Sequence, residues 1–278
     1  MDWSEYLTRI RKQVPEKLVR DYGMVMERGR PYPLVCLDLP TPKTLVVTAG
    51  FHGEEPAGPL LFAYRLMELV EYAQLRGVGL RIYPCINPSG FVTGERYNLS
   101  GEKPNNAVIE YEIEPGRWVG EIEPGQHEPH ARLQTQPWAK ETWALMEDLR
   151  ARPIEPAPVA LLDIHQDNEV PDGATYAYVF GGRRPYERIM TDLKFSEIGY
   201  PLSNEVVDPR SGGNTIRTDV HGLCEYHDGS ISAWAWSLGS VIYTVTLETS
   251  SLSPPVRSVA INLLWVKHFI DLVAQTRV

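Results

Sequence analysis

Three short stretches carry the residues able to do chemistry. His52 and Glu55 stand in Phe51-His52-Gly53-Glu54-Glu55, directly after an apolar run. His165 stands in Asp163-Ile164-His165-Gln166-Asp167, and Glu248 in Thr246-Leu247-Glu248-Thr249-Ser250. In His-x-x-Glu an imidazole and a carboxylate are three residues apart, so on a turn entering a helix they face the same way and can converge on a metal. That spacing favours Glu55 as the ligand and leaves Glu54 to solvent. A histidine between acids at the end of a buried strand also suits a metal, because a neighbouring carboxylate can fix its ring through the other N–H. A structural histidine bonded to backbone would read the same way. A glutamate behind a strongly apolar strand is costly to bury without a partner or a task. Beside an activated water it would be a general base; elsewhere it would be a strand-end glutamate reaching solvent. In chain order the set is two histidines and a glutamate that can ligate, then a glutamate that can take a proton.

These residues must be positioned by the elements around them. Residues 3–22 read as an amphipathic helix, and 34–37 and 44–49 as strands around a Pro40-Thr41-Pro42 turn. A helix follows Pro56, with Leu60, Leu61, Tyr64 and Met67 as its apolar face. Residues 80–86 form a strand ending at the turn Asn87-Pro88-Ser89-Gly90. From there to about Gln136 the chain is rich in Gly, Pro, Asn and Glu, an insert of a length that is usually functional or flexible. Helices are expected over 137–150, 185–198 and 254–276, and strands over 159–164, 176–180 and 241–247. Alternation of this kind gives an α/β layered sheet. The candidate residues follow strand ends, where open α/β sheets place their ligands.

With these elements between them, the stretches AGFHGEEPAG, INPSGF, GERYN, LLDIHQD and TLET resemble the M14 zinc carboxypeptidases. The same family holds the succinylglutamate desuccinylases, aspartoacylases and murein-peptide amidases. The resemblance runs from about Thr44 to Glu248. It implies a three-layer α/β/α sandwich on a mixed, mostly parallel twisted sheet; with no domain boundary visible along the chain, residues 1–278 read as one catalytic domain. It also implies one Zn²⁺ per chain on His52, Glu55 and His165, the His₂Glu set of carboxypeptidase A and thermolysin, with Glu248 as general base. Arg96 falls where the family polarises the scissile carbonyl; its fixed charge and planar donors suit an oxyanion. Asn87-Pro88-Ser89-Gly90-Phe91 matches a structural turn. The family's Asn-Arg pair, which grips the substrate's terminal carboxylate, falls on Asn105 and Asn106. The asparagine matches; the arginine does not, and an amide cannot replace a bidentate cationic fork. Lys103, Arg117, Arg132, Arg210 and Arg217 are other candidates for that carboxylate. Tyr226 lies near the position of a substrate-binding tyrosine.

The implied function is a zinc-dependent amide hydrolase, read as a peptidase of carboxypeptidase type because GERYN resembles that branch. The alternative within the class is an N-acyl-amino-acid deacylase. The rival outside it is a non-catalytic binding module on the same fold. The substrate would be a small peptide or an N-acyl amino acid.

Composition agrees with a globular protein. Of 278 residues, 36 are acids and 27 are Lys or Arg, a net charge of -9 with no basic stripe, which argues against a nucleic-acid partner. No apolar run approaches the roughly 20 residues of a membrane helix. The N-terminus lacks an apolar signal region, so the chain reads as cytoplasmic. Cys36, Cys85 and Cys224 are too few and too scattered for a disulfide framework and read as buried thiols. His127 and His130 read as exposed, and His221 and His227 as surface residues, with contact to substrate or to a metal ligand as the alternative.

Overall fold

The computed structural model describes residues 1–105, 108–122, 130–134, 138–152, 159–203, 205–208, 214–225 and 227–276. Along the chain run α1 (Trp3–Gln13), β1 (Val19–Glu27), β2 (Arg30–Leu39), β3 (Thr44–Ala49), α2 (Ala57–Arg76), β4 (Gly79–Tyr83) and α3 (Pro88–Thr93). There follow β5 (Ile109–Glu114), β6 (Arg117–Val119), β7 (Ala131–Leu133), α4 (Lys140–Ala151), β8 (Ala160–Asp167), β9 (Ala174–Phe180) and α5 (Arg184–Phe195). The chain ends through β10 (Tyr200–Pro201), β11 (Glu205–Asp208), β12 (Asn214–Arg217), β13 (Leu223–Cys224), α6 (Ile231–Ser237), β14 (Tyr243–Ser250) and α7 (Pro255–Gln275).

Among the described residues, nine strands make one mixed sheet in the order β1-β2-β4-β3-β8-β14-β9-β10, with β13 also on β9. Strands β4, β3, β8 and β14 are parallel neighbours; β2 and β9 flank them antiparallel. Every residue of β3 and β8 is buried, as expected of strands covered on both faces. One face packs Leu162, Ile164, Val245 and Leu247 against α1, α2, α5 and α7, with Leu66, Trp265 and Phe269 at the centre. The other packs Val46, Tyr83, Leu161 and Phe180 against α4 and α6. This is the three-layer α/β/α arrangement implied by the resemblance. No helix among the described residues is long and apolar enough to cross a membrane.

The structure departs from the sequence reading in several places. The helix expected over 3–22 stops at Gln13; Val14 is extended because Pro15 follows it, and 19–27 form the sheet's edge strand. In α2 the buried stripe is Leu61, Phe62, Leu66, Leu69 and Val70, while Tyr64 and Met67 face solvent. The long insert is partly regular: β5, β6 and β7 form a small antiparallel sheet. Helix α6, not anticipated, starts at a Ser230 N-cap. Strands β8 and β14 run on to Asp167 and Ser250, so His165 and Glu248 lie inside strands, near their C-terminal ends, rather than beyond them.

Candidate metal centre

Parallel pairing decides which side chains meet. Strand register sets Glu248 beside His165 on one side and Tyr176 on the other, and Thr246 beside Asp163 and Tyr178. Asp163 is also level with Thr48 of β3. Because alternate strand residues share a face, two polar rows lie on the α6 side: His165, Glu248 and Tyr176, and below them Thr48, Asp163, Thr246 and Tyr178. Thr48 donates to Asp163 (2.7 Å) and Thr246 to Ser232 of α6 (2.8 Å), so the lower row is a bonded floor.

His52 and Glu55 approach from the turn between β3 and α2. Gly50 ends β3 with φ +67°, a left-handed conformation that glycine takes without strain. Gly53 is pressed against the Gly90 backbone: a Cβ there would lie 1.9 Å from its carbonyl carbon. Asn87 ties this turn down. Its Oδ1 accepts from Gly90 N (2.9 Å), and its Nδ2 reaches Phe51 O and Arg96 O (3.3 Å each). The Asn-Pro-x-Gly turn thus has the structural role the resemblance implied.

Both imidazoles turn Nδ1 toward one carboxylate. His52 Nδ1 is 2.7 Å from Glu55 Oε1, and His165 Nδ1 is 2.8 Å from Glu55 Oε2. Gln166 N also donates to Oε2 (3.1 Å). The three residues are buried, and one ligand atom from each lies within 4.8 Å of the other two. They form a group that can hold a metal ion. His165 Nε2 is 3.0 Å from Asp163 Oδ2, so a wholly buried carboxylate orients this ring, itself stacked on Phe51. Of the two acids flanking His165, the sequence left open which would act; it is Asp163. Asp167 instead accepts from Tyr176 (2.9 Å).

Electrostatics follow from this crowding. Burial would push the His165 imidazolium down, but Asp163 and Glu55 overcome that and hold it well above its ordinary range. With both ring nitrogens against carboxylates, both donate; a metal at Nδ1 takes the place of one proton. Burial pushes His52 down, only partly offset by Glu55. Burial would raise Glu55, but the two histidines hold it well below the carboxylate range. Glu248 goes the other way: burial, with Glu55 and Asp167 nearby, pushes it well up against the pull of His165 and Arg96. Its Oε2 is buried with no hydrogen-bond partner.

Arg96 Nη1 donates to Glu54 Oε1 (2.9 Å) and lies 3.3 Å from Glu55 Oε1, so it is brought to the cluster. Glu54, expected to be left to solvent, pairs with it. Asn105 is brought in as well, its Nδ2 3.3 Å from His165 Nε2. Asn106, Tyr226 and Arg210 lie outside the described residues. Arg117 and Arg132 pair with Glu114 and Glu110 on the β5–β7 sheet, and Lys103 stacks over Tyr97. His227 packs edge-on against Phe180 and Tyr111. Sequence reasoning missed Tyr176 and Tyr178, whose hydroxyls are 3.2 Å apart beside Glu248. Their period-two spacing was visible, but only the antiparallel register of β9 on β14 brings them here.

No family model matches the chain, and no curated protein sequence matches it. Solved structures do. A proposed metallopeptidase from Shewanella amazonensis superposes with a TM-score of 0.68 at 22% identity, over 98% of this chain and 93% of that one. A metallo-carboxypeptidase from Burkholderia cenocepacia gives 0.62 at 17%, over 96% and 67%. One from Pseudomonas aeruginosa, in complex with (2-guanidinoethylmercapto)succinic acid, gives 0.61 at 15%, over 97% and 68%. The chain has the fold of these metallopeptidases.

Proposed function

We propose that the protein is a metal-dependent hydrolase of amide bonds, a peptidase of carboxypeptidase type. The observation that carries this is the pairing of a buried His52–Glu55–His165 group with a buried, partnerless Glu248 oxygen on the neighbouring strand. The nitrogen and oxygen donors suit zinc, one ion per chain, and Asp163 on His165 supplies the outer carboxylate such ligands usually have. Bound there, zinc would lower the pKa of a water toward about 7.

The chain's own groups do the rest. Glu248 Oε2 accepts a proton from the attacking water and delivers it to the leaving nitrogen; its raised pKa suits a group that must hold a proton and release it. Arg96 directs guanidinium N–H donors at the carbonyl oxygen as charge builds on it. The Thr48–Asp163 bond ties β3 to β8, and the Thr246–Ser232 bond ties β14 to α6.

Asn106 in place of the family's arginine favours a substrate without a free terminal carboxylate, which keeps an N-acyl-amino-acid deacylase as the second reading. The test is metal analysis of the purified protein with a panel of free-acid peptides, amidated peptides and N-acyl amino acids. One equivalent of metal and chelator-sensitive cleavage of an amide are expected. Absence of metal binding by the intact protein would overturn the reading; inertness of the whole panel with metal bound would favour a binding module.

A further inference from the structure

Arg96 and Asn105 bound a segment with no regular secondary structure. At one end Arg96 O accepts from Gly53 N and Asn87 Nδ2, and Leu99 N donates to Ser89 Oγ (3.2 Å). At the other, Asn105 touches His165. Between them the segment is gripped by the first turn of α4. Glu141, 0% exposed, takes Asn98 Nδ2 at 3.0 and 3.3 Å. Its neighbour Thr142 donates to Pro104 O. Asn98 in turn organises the segment, since its Oδ1 accepts from Ser100 N (3.1 Å) and Glu102 N (2.8 Å).

A carboxylate is an expensive choice for this place. Glu102 Oε2 also takes Asn98 Nδ2 (2.8 Å). From β1, the wholly buried Glu27 is held by Lys140 of α4 (3.0 Å) and by Ser100 (2.8 Å), and Tyr22 turns a partnerless hydroxyl inward. Cys85, beyond β4, adds a buried thiol that burial, and then the charge of Glu141, pushes up. Three acids thus crowd one lysine. Replacing buried charge by apolar side chains is often neutral or stabilising, so packing alone does not explain Glu141. What it adds is a hold on a loop that has no sheet or helix bonds of its own.

We propose that Glu141 is a positioning residue, which by holding Asn98 fixes the segment that presents Arg96 and Asn105 to the His52–Glu55–His165 cluster. The proposal rests on the reading of that cluster as the reaction centre. It also predicts a pH response. Burial raises Glu141 to about 7, with Glu27 and Glu102 adding to the rise against the pull of its own backbone N–H and of Asn98. A carboxyl whose pKa is raised in the closed arrangement favours that arrangement when protonated, and the hold is lost as pH rises through the raised value.

Hydrogen–deuterium exchange of peptides covering 96–105 tests this without substrate or turnover, so it fails independently of the hydrolase reading. Wild type, Glu141→Gln and Glu141→Ala are compared at pH 6 and pH 8 after correction for intrinsic rates. In wild type the segment should exchange faster at pH 8; in Glu141→Gln, which cannot ionise, the two pH values should agree. Glu141→Ala should exchange about tenfold faster than wild type at pH 6, with β8 and β14 unchanged in all three. Like exchange of the segment in all three proteins would overturn the proposal. So would a change in Glu141→Gln that spreads over β8 and β14, which would make Glu141 a support of the whole fold. With turnover in hand, a fall in kcat for Glu141→Ala supports positioning, and a rise in KM alone argues against it.

Discussion

Two ionic clusters, each part buried and part half-buried, lie on the α4–α6 side of the sheet. In one, Asp148 takes both terminal nitrogens of Arg20 (2.7 Å each) and the Tyr83 hydroxyl (2.7 Å), while Arg81 reaches Asp38 (3.0 and 3.2 Å) and Arg152 O (2.6 Å). Arginine answers aspartate, and the side chains balance by themselves. In the other, Glu55, Asp163 and Glu248 gather round two histidines and one arginine, and Glu248 keeps an oxygen with no partner. A fold gains nothing from that oxygen, since a buried polar atom without a partner is a cost. The first cluster is complete as structure. The second can hold a metal ion, and we read it as a centre for a cation and for a moving proton.

The sharpest way to break this contrast is one chemical change made in both places. Glu248→Gln should lower turnover about 10²–10⁴-fold, the usual cost of losing a general base, while metal stoichiometry stays the same. Asp148→Asn should leave the chemistry nearly untouched and cost about 1.5–3 kcal/mol of stability, because it removes charged bonds of Arg20 that Asp38, 3.4 Å away, only partly replaces. Steady-state kinetics, metal analysis and denaturant unfolding read the pair. Full turnover in Glu248→Gln would remove that residue from the mechanism, and an unchanged unfolding midpoint in Asp148→Asn would show that the balanced cluster is not what holds α4 to the sheet.

The two clusters were unequally legible in the sequence. His52, Glu55, His165 and Glu248 could be found because each stands at a sharp change from apolar strand to polar residue, a local signal. The central strands and the long helices were legible for the same reason. The balanced cluster was not, since Arg20, Asp38, Arg81 and Asp148 come from distant stretches and meet only through the β1–β2–β4 register and the packing of α4. The first four residues of β1, 19–22, were read as helix and the rest of the strand was not foreseen, because its residues alternate too loosely to outvote the helical run before it; the break at Pro15 was the signal to weigh. Asn98 was visible only as the last residue of GERYN and Glu141 not at all, because a polar side chain on an irregular segment and an acid in a helix's first turn look like surface until burial is known.

A smaller effect is expected at Asp163, which belongs to the centre yet is fully bonded, to Thr48 and His165. Its part is to orient the ring and raise its basicity. Asp163→Asn should therefore weaken metal binding about 10–100-fold, measured by competition with a chromophoric chelator, while folding survives because an amide can still bond Thr48. Unchanged affinity would mean that Phe51 stacking and Glu55 suffice to set the ring.

The smallest effect is one of sign, on stability with the metal removed by chelator. Glu248 is held above its ordinary pKa, first by burial and then by Glu55 and Asp167. A group raised in the folded state contributes stability that is complete below its unfolded value, 4.5, and lost as pH rises through the folded one. His165, raised above 6.5, loses its contribution in the same direction. Glu55, lowered, is ionised throughout this range and adds no slope. The chelated wild type should therefore lose stability as pH rises above 4.5 for Glu248 and above 6.5 for His165, against a gain from His52, whose lowered value favours the folded state as pH rises toward 6.5. Glu248→Gln removes one contributor and leaves the others, Glu141 among them, as they are, so the chelated variant should become the more stable protein as pH rises, by about 1–3 kcal/mol, the cost of a buried polar group without a partner. Metal should stabilise the wild type more than the variant, because only the wild type has that charge to offset. Thermal unfolding of both proteins across this pH range, with chelator and with zinc, reads all three differences. A chelated Glu248→Gln less stable than wild type at pH 8 would mean that the Glu248 carboxylate is compensated within the protein, and the contrast between the two clusters would fall with it.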